Sequence, residues 1–154
     1  MKKVALDEII LQAMERYSLD IKAKKLNLTF SFNKHFYVVT DAGMAAIIIE
    51  NLLSNAIKYS FDEGQVNIGL DAAYGKITAT ITDNGQGIAA ADLARVYEQF
   101  YRSEAVENTA IKGTGLGLSI VKRLCDLLAI QIAISSGKGR GTTVKLVFNT
   151  PKEV

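Results

Sequence analysis

The sequence is poor in the residues that build disulfides, proline linkers and metal clusters. Its 154 residues include no Trp, one Pro, one Cys and one His. Pro151 lies near the end, so no proline-rich linker divides the chain. Cys125 alone excludes an internal disulfide, and its apolar surroundings predict a buried, inert thiol in a reducing compartment. We therefore predict a single domain over residues 1–154.

Charge and hydropathy argue against two further classes of partner. The 18 basic and 16 acidic residues give a formal net charge of +2, which offers no electrostatic basis for binding nucleic acid or an anionic membrane. No segment approaches the roughly 18 consecutive apolar residues of a membrane span. We expect a cytoplasmic chain without direct membrane contact, although a longer parent protein can still be anchored in the inner membrane.

The only histidine is poorly placed for catalysis. His35 lies between Lys34 and Phe36, at the start of a predicted short strand. Nothing nearby offers a second metal ligand or a triad partner. We interpret His35 as a partly exposed structural histidine.

Hydrophobic periodicity predicts interleaved helices and strands. Helical spacing covers roughly residues 6–24, and Asp41 can cap a second helix that ends near Ser60. Further helices are predicted over 91–100 and 114–128. Alternation of apolar and polar residues predicts six strands: 26–32, 36–40, 65–70, 76–82, 130–134 and 143–148.

Turn residues connect these elements. Tyr74 and Gly75 favour a hairpin between the third and fourth strands, whereas the polar residues 103–112 predict a mobile loop. Because hairpins and crossovers are mixed, we expect an α/β (α+β) fold with a mixed sheet covered by helices on one face.

The helix after Asp41 carries a polar stripe. Asn51, Asn55, Lys58 and Tyr59 are four, three and one residues apart and so share one helix face. An Asn oxygen suits Mg²⁺, a lysine supplies a point charge for phosphate, and a tyrosine ring can stack. For this motif alone, a solvated helix face is an equally good interpretation.

Two glycine-containing motifs follow. Asp83 ends a strand before Asn84-Gly85-Gln86-Gly87, where a carboxylate can accept from an adenine amine and glycines allow close approach; a plain turn is the alternative. The run from Gly113 to Gly117 enters a helix and favours an anion site over a flexible linker. It is neither a Walker motif nor a convincing dinucleotide fingerprint.

Two arginines are ambiguous when considered alone. Arg102 follows two aromatic residues, which can place its cation near a phosphate, or it is an ordinary surface arginine. Arg140 lies in a glycine-rich stretch before Thr142 that can be a simple hairpin turn.

Together and in this order, the segments 51–59, 83–87, 100–102 and 113–118 resemble the ATP-binding catalytic domain of bacterial sensor histidine kinases. This group belongs to the superfamily of gyrase, Hsp90 and MutL. The resemblance implies a two-layer sandwich of the Bergerat type, in which a mixed, largely antiparallel sheet and an ATP lid enclose ATP and Mg²⁺.

The resemblance also implies residue roles. Asn55 would bind Mg²⁺ with support from Asn51, Lys58 would reach phosphate, and Tyr59 would line the adenine side. Arg102 would act on the transferring phosphate or at the contact with the histidine-bearing domain. The remaining nucleotide contacts would be Asp83, Gly85, Gly87, Lys112, Gly113, Thr114, Gly115, Leu116, Gly117 and Thr142, with Thr142 holding a water beside Asp83.

The departures from the family pattern are informative. Tyr97 and Gln99 replace the usual Phe and Pro, which shifts local packing. ATP-hydrolysing members of the superfamily carry a Glu where this chain has Asn51, and Glu50 lies about 100° around the helix. An ATPase clamp or an anti-sigma-factor serine kinase is therefore disfavoured.

The predicted function is transfer of the ATP γ-phosphate to a histidine on another domain, for onward transfer to a response-regulator aspartate. Residues 1–24 are too short for the hairpin that bears the acceptor histidine, so we expect a monomeric catalytic domain that cannot phosphorylate itself. The partners would be that dimerisation domain and a response regulator. The alternative is a nucleotide-binding docking module without kinase activity.

Overall fold

The fold is built from seven strands and five helices within the part of the chain that the structure describes. The structure is a computed structural model that describes residues 1–99, 101 and 117–151. The strands are β1 (Lys2–Ala5), β2 (Asn27–Ser31), β3 (Tyr37–Thr40), β4 (Gln65–Ala73), β5 (Lys76–Asp83), β6 (Gln131–Ser136) and β7 (Thr142–Asn149). The helices are α1 (Leu6–Arg16), α2 (Ser18–Ala23), α3 (Ala42–Tyr59), α4 (Ala90–Leu93) and α5 (Gly117–Leu128).

The main sheet has five strands in the order β2-β4-β5-β7-β6. β2 pairs with β4 in parallel, and the other three pairings are antiparallel. A separate antiparallel pair joins β1 to β3. The predicted mixed, largely antiparallel sheet is therefore confirmed.

The core lies between one face of this sheet and the helices α1, α3 and α5. On β5, Ile77, Ala79 and Ile81 are buried, and the intervening threonines lie on the opposite face, as their alternation predicts. From α3, the buried side chains include Ile48 and Leu53. The helices contact one another in the order α1-α3-α5, which gives the two-layer α/β architecture that the sequence predicts.

Local signals in the sequence are reproduced at two places. The Asp41 carboxylate accepts a hydrogen bond from the Met44 amide at 2.9 Å, as an N-cap residue does. Tyr74 and Gly75, with φ of 54° and 71°, form the two-residue hairpin turn between β4 and β5. Positive φ at both positions is the requirement of a type I′ turn.

The prediction of one continuous helix over residues 6–24 is wrong. The chain leaves helical geometry at Tyr17, with φ of −99° and ψ of 15°, so that 6–24 divides into α1 and α2. With this bend, both Tyr17 and Ile21 pack against the core. Periodicity alone does not register a bend that preserves the spacing of apolar residues.

Two other expectations are corrected. The helix predicted over 91–100 is α4, which ends at Leu93 and continues as turns in which Arg95 and Glu98 donate amide bonds three residues back. β1 was not predicted, because its first residues, Lys2 and Lys3, carry no apolar alternation. The predicted loop 103–112 and the helical residues 114–116 lie outside the described residues.

Two single residues lie as predicted. Cys125 is fully buried, and desolvation raises the pKa of its thiol to about 11. The His35 side chain is 56% exposed, and its Nδ1 lies 3.0 Å from a carboxylate oxygen of Asp7. Within the described ranges, no helix is long and apolar enough to cross a membrane.

Candidate functional site

A cavity of about 240 Å³ lies between α3 and one end of the strands β5, β6 and β7. Predicted site residues from distant parts of the chain meet on its walls. They are Asn51, Asn55, Lys58, Tyr59, Asp83, Gly87, Gly117 and Thr142. Gly85 is not among the residues that line the cavity. The other predicted residues fall outside the described part of the chain: Arg102, Lys112, Gly113, Thr114, Gly115 and Leu116.

One wall of the cavity is an apolar row across three strands. Val144 on β7 is the register partner of Ile81 on β5 and of Ile134 on β6, and all three line the cavity. Such a row offers a flat apolar surface to a planar ring. Sequence reasoning missed these residues as site residues, although the alternation of each strand placed them on the core-facing side.

A polar row lies two residues further along the same strands. Thr142 pairs in register with Asp83 and with Ser136, and residues two apart on a strand share a face. The polar row therefore adjoins the apolar one at the end of the sheet. Ser136 was also missed, yet it continues the alternation of the strand that contains Ile134.

Asp83 is the buried carboxylate of this row, with only 7% of the residue exposed. One of its oxygens accepts a hydrogen bond from the Gly85 amide at 2.9 Å. Burial raises the pKa of the carboxyl above its usual value, and backbone bonds from Gly85 and Thr142 partly oppose that rise. The result is a fixed acceptor at the edge of an apolar surface.

The loop after Asp83 packs directly on the end of α3. The Gln86 amide donates to the Tyr59 carbonyl oxygen at 3.2 Å. A Cβ on Gly85 would overlap the same carbonyl, so only glycine permits this approach. Tyr59 therefore contributes its main chain to the site as well as its place on the cavity wall.

Ser136 ties this loop to the β6–β7 connection. Its hydroxyl accepts from the Ile88 amide at 2.7 Å and donates to the Gly141 carbonyl at 2.8 Å. Gly87 and Gly141 both have φ of +72°. A Cβ on Gly141 would overlap the main chain of Asp83, so Gly141 has a packing role beyond a simple turn.

The opposite wall carries amide oxygens from α3. Asn51 donates through Nδ2 to the Ile47 carbonyl at 2.8 Å, and its Oδ1 would lie 3.2 Å from a Cβ placed on Gly117 at the start of α5. The side-chain oxygen thus faces the beginning of α5. Among the described residues, no group of three or more His, Cys, Asp or Glu residues can hold a metal ion.

This donor set fits Mg²⁺ held largely by phosphate and water. Mg²⁺ keeps several waters and takes few protein oxygens when it binds with a nucleotide. The amide oxygens of Asn51 and Asn55 are hard, neutral donors of that kind. A metal that requires imidazole or thiolate ligands would find none on this wall.

Asp92 and Tyr101 close one side of the cavity. The Tyr101 hydroxyl donates to the Asp92 carboxylate, and the Arg95 guanidinium lies 4.3 Å from the centroid of the Tyr101 ring. Neither Asp92 nor Tyr101 was predicted as a site residue. Tyr101 lies within the 100–102 motif, which was the available signal.

Residues 40–152 match the family described as histidine kinase-, DNA gyrase B- and HSP90-like ATPases. The chain belongs to this family. The predicted resemblance is therefore confirmed, and membership of this family implies that the chain binds ATP.

Two sensor proteins are similar to the chain in sequence. The chain is 34% identical over 154 residues to the sensor protein kinase GraS of Staphylococcus aureus. The aligned region covers 100% of this chain and 42% of GraS. It is 41% identical over 116 residues to the sensor protein BceS of Halalkalibacterium halodurans, covering 75% of this chain and 34% of BceS. The chain thus spans less than half the length of these relatives.

The fold agrees with that of the catalytic domain of the histidine kinase ThkA. The TM-score is 0.83 at 22% identity, covering 97% of this chain and 98% of that one. ThkA has also been solved in complex with the response regulator protein TrrA, with a TM-score of 0.80 at 18% identity, covering 97% of this chain and 42% of that one. These relatives are named as sensor proteins and the solved structures as histidine kinases, which is the branch that the sequence motifs resemble.

Proposed function

We propose that the chain binds ATP with Mg²⁺ and transfers the γ-phosphoryl group to a histidine on a separate domain. The observation that carries the proposal is the meeting, in one cavity, of the buried Asp83 carboxylate with Asn51, Asn55 and Lys58 of α3. A base-reading acceptor and a phosphate-facing stripe on opposite walls suit an adenine nucleotide.

The base is recognised by the sheet side of the cavity. Asp83 accepts a hydrogen bond from the exocyclic amine of adenine, while the ring lies on the apolar row of Ile81, Val144 and Ile134. Thr142, whose Oγ1 lies 2.9 Å from the Ser136 hydroxyl, holds a water beside Asp83. Gly85 and Gly87 keep the loop close enough for these contacts.

The phosphates are recognised by α3 and the start of α5. Asn55 binds Mg²⁺ with support from Asn51, and Lys58 neutralises phosphate charge. Mg²⁺, when bound, supplies neutralisation of the phosphate oxygens. Arg102 and the segment from Lys112 through Gly113, Thr114, Gly115 and Leu116 to Gly117 complete the phosphate contacts in this proposal.

Transfer requires a nucleophile brought from outside the chain. An imidazole nitrogen forms a bond to the γ-phosphorus as the bond from that phosphorus to the bridging oxygen breaks, and ADP leaves. Glu50 does not line the cavity; it pairs with Arg16, so it is not placed to activate water. The phosphoryl group is thereby kept for the histidine.

The proposed partners follow from this chemistry. They are the histidine-bearing dimerisation domain of the same kinase and then a response regulator, the kind of partner with which ThkA was solved. Residues 1–154 act as one domain in this scheme, and the isolated chain is monomeric.

The binding test is calorimetric titration of a non-hydrolysable ATP analogue with and without Mg²⁺. We expect Mg-dependent binding by the unmodified chain, loss of the Mg²⁺ dependence in Asn55→Ala and loss of binding in Asp83→Asn. Asn33→Ala, at an exposed position outside the cavity, is the matched control. Equal affinity in all four proteins would refute the site assignment.

The transfer test adds a matching histidine hairpin domain and ATP labelled at the γ-phosphate. Acid-labile label on the hairpin is the expected result. Nucleotide binding without any transferred label would instead favour the docking module, and rapid release of phosphate by the chain alone would favour an ATPase.

A further inference from the structure

Lys24 lies outside the cavity but contacts the end of the helix that lines it. The residue follows α2 and is half-buried. Its ammonium group donates three hydrogen bonds of 2.8 Å, to the carbonyl oxygens of Ile57, Lys58 and Ser60. An ammonium group has three N–H donors, so all of them are used at this one place.

These bonds complete the C-terminus of α3. The last four carbonyl oxygens of a helix accept no hydrogen bond from within the helix and need donors from elsewhere. The partners here are Ser60 Oγ for Ala56 at 2.5 Å, Lys24 Nζ for Ile57 and Lys58 at 2.8 Å, and the Gln86 amide for Tyr59 at 3.2 Å.

The loop from Asp83 to Gly87, here called the base-reading loop, packs against the same end of α3. The Tyr59 carbonyl accepts from Gln86 and lies against Gly85, and the Gly85 amide in turn donates to Asp83. Lys58, one residue earlier, lines the cavity. A shift of this helical turn would therefore move the loop that carries Asp83 and the lysine on the phosphate side together.

The main chain of Lys24 is held as well. Its carbonyl oxygen accepts from the Glu63 amide at 2.8 Å, which joins the end of α2 to the loop that follows α3. A cation at a helix C-terminus also interacts favourably with the carbonyl dipoles there, and charge-assisted bonds are stronger than neutral ones. Lys24 thus connects two segments on either side of the α3 terminus.

We propose that Lys24 is a positioning residue for the nucleotide site: its ammonium group fixes the last turn of α3, and through Tyr59 it sets the distance between that turn and the Asp83–Gly87 loop. The inference rests on the proposed function of the cavity as a nucleotide site. Lys24 does not line the cavity, so in this proposal it acts without contacting the nucleotide.

The test compares three variants at low temperature, after circular dichroism has verified that each one is folded. Lys24→Met removes the ammonium group and keeps the hydrocarbon stem, and Lys24→Arg keeps a cation with several donors. Lys22→Met is the matched control, because it removes the same charge from an exposed position two residues away. Lys24→Gln, which keeps two N–H donors, replaces Lys24→Met if that variant does not fold.

The first readout is the amide NMR spectrum, which requires no nucleotide. We expect Lys24→Met to shift the resonances of Gly85 and Gln86, although they lie more than sixty residues away in sequence, and Lys24→Arg to restore most of the shift. Unchanged Gly85 and Gln86 resonances in Lys24→Met, with any loss confined to thermal stability, would overturn the proposal.

The second readout is affinity for the non-hydrolysable ATP analogue with Mg²⁺. We expect about tenfold weaker binding in Lys24→Met, recovery in Lys24→Arg and no change in Lys22→Met. If the unmodified chain itself does not bind the analogue, the proposed function fails, while the NMR readout still decides whether Lys24 sets the loop. Displaced resonances together with unchanged affinity would overturn the link from Lys24 to binding.

Discussion

Glu50 and Arg16 form an ion pair, with Arg16 Nη1 3.2 Å from Glu50 Oε1, that joins α3 to α1 on the side away from the cavity. Glu50 is the only acidic residue within α3 and directly precedes Asn51. Its engagement with α1 leaves the stripe with neutral amides and one lysine. We therefore expect that no carboxylate of α3 activates water in the cavity.

Glu50→Gln is therefore expected to leave nucleotide affinity and the slow background hydrolysis of ATP unchanged. Since the Arg16 side chain is 69% exposed, loss of the pair should cost no more than about 1 kcal/mol of unfolding free energy. Arg16→Gln is the matched control and should behave alike. Phosphate release measures hydrolysis, and a large fall in rate in Glu50→Gln alone would show that Glu50 activates water.

Asp83 predicts an unusual dependence of stability on pH. The pKa of its carboxyl is raised in the folded chain above the value of 3.8 that it has when solvated, so the folded state binds the proton more tightly than the unfolded state. Its favourable contribution is fully present below the unfolded pKa and is lost as the pH rises through the folded pKa. At neutral pH the ionised carboxylate is a net cost to folding.

Asp83→Asn should consequently match or exceed the unmodified chain in stability at pH 7, while the unmodified chain gains relative to it as the pH falls. The asparagine keeps an acceptor oxygen for the Gly85 amide. Urea unfolding at a series of pH values measures the difference. A marked loss of stability in Asp83→Asn at pH 7, with no change in the difference on acidification, would contradict the assignment.

Nucleotide affinity should fall as the pH is lowered through the raised pKa of Asp83. The ionised carboxylate only accepts hydrogen bonds, whereas the protonated form presents a donor to the adenine amine. Titration calorimetry of the ATP analogue across mildly acidic pH provides the measurement. Affinity that stays constant over this pH range would contradict the role of the Asp83 carboxylate as the acceptor for the base.

Gly85→Ala should displace the base-reading loop. An added Cβ would overlap the Tyr59 carbonyl oxygen, and that backbone atom cannot move without shifting α3. We expect at least tenfold weaker binding of the ATP analogue, measured by calorimetry. Gly75→Ala is the control: at φ of +71° with no atom within 4 Å, it should cost about 1–2 kcal/mol of stability and leave affinity unchanged.

Cys125 should be inert in the folded chain. Its side chain is fully buried, and this burial raises the pKa of its thiol to about 11. At pH 8 only about one thiol in a thousand would be ionised. We expect negligible reaction with a thiol reagent in buffer and stoichiometric reaction in denaturant. Rapid labelling of the native chain would show that the helix α5 opens readily.

The predictions from sequence succeeded where a short stretch of chain determines the outcome. The Asp41 cap depends on one side chain and an amide three residues away, and the β4–β5 hairpin depends on two turn residues. The stripe from Asn51 to Tyr59 depends only on helical period. In contrast, the division at Tyr17 depends on how α1 and α2 pack against the core, which apolar spacing does not reveal.

The amino-acid sequence alone therefore determined the family, the sheet-and-helix architecture and the polar motifs, because each rests on local period, turn chemistry or motif order. Only the tertiary structure decided how those motifs meet. The apolar row of Ile81, Val144 and Ile134 arises from strand register, and the bonds from Lys24 to the α3 terminus join residues more than thirty positions apart. Such contacts depend on packing between elements, and no periodicity within either element encodes them.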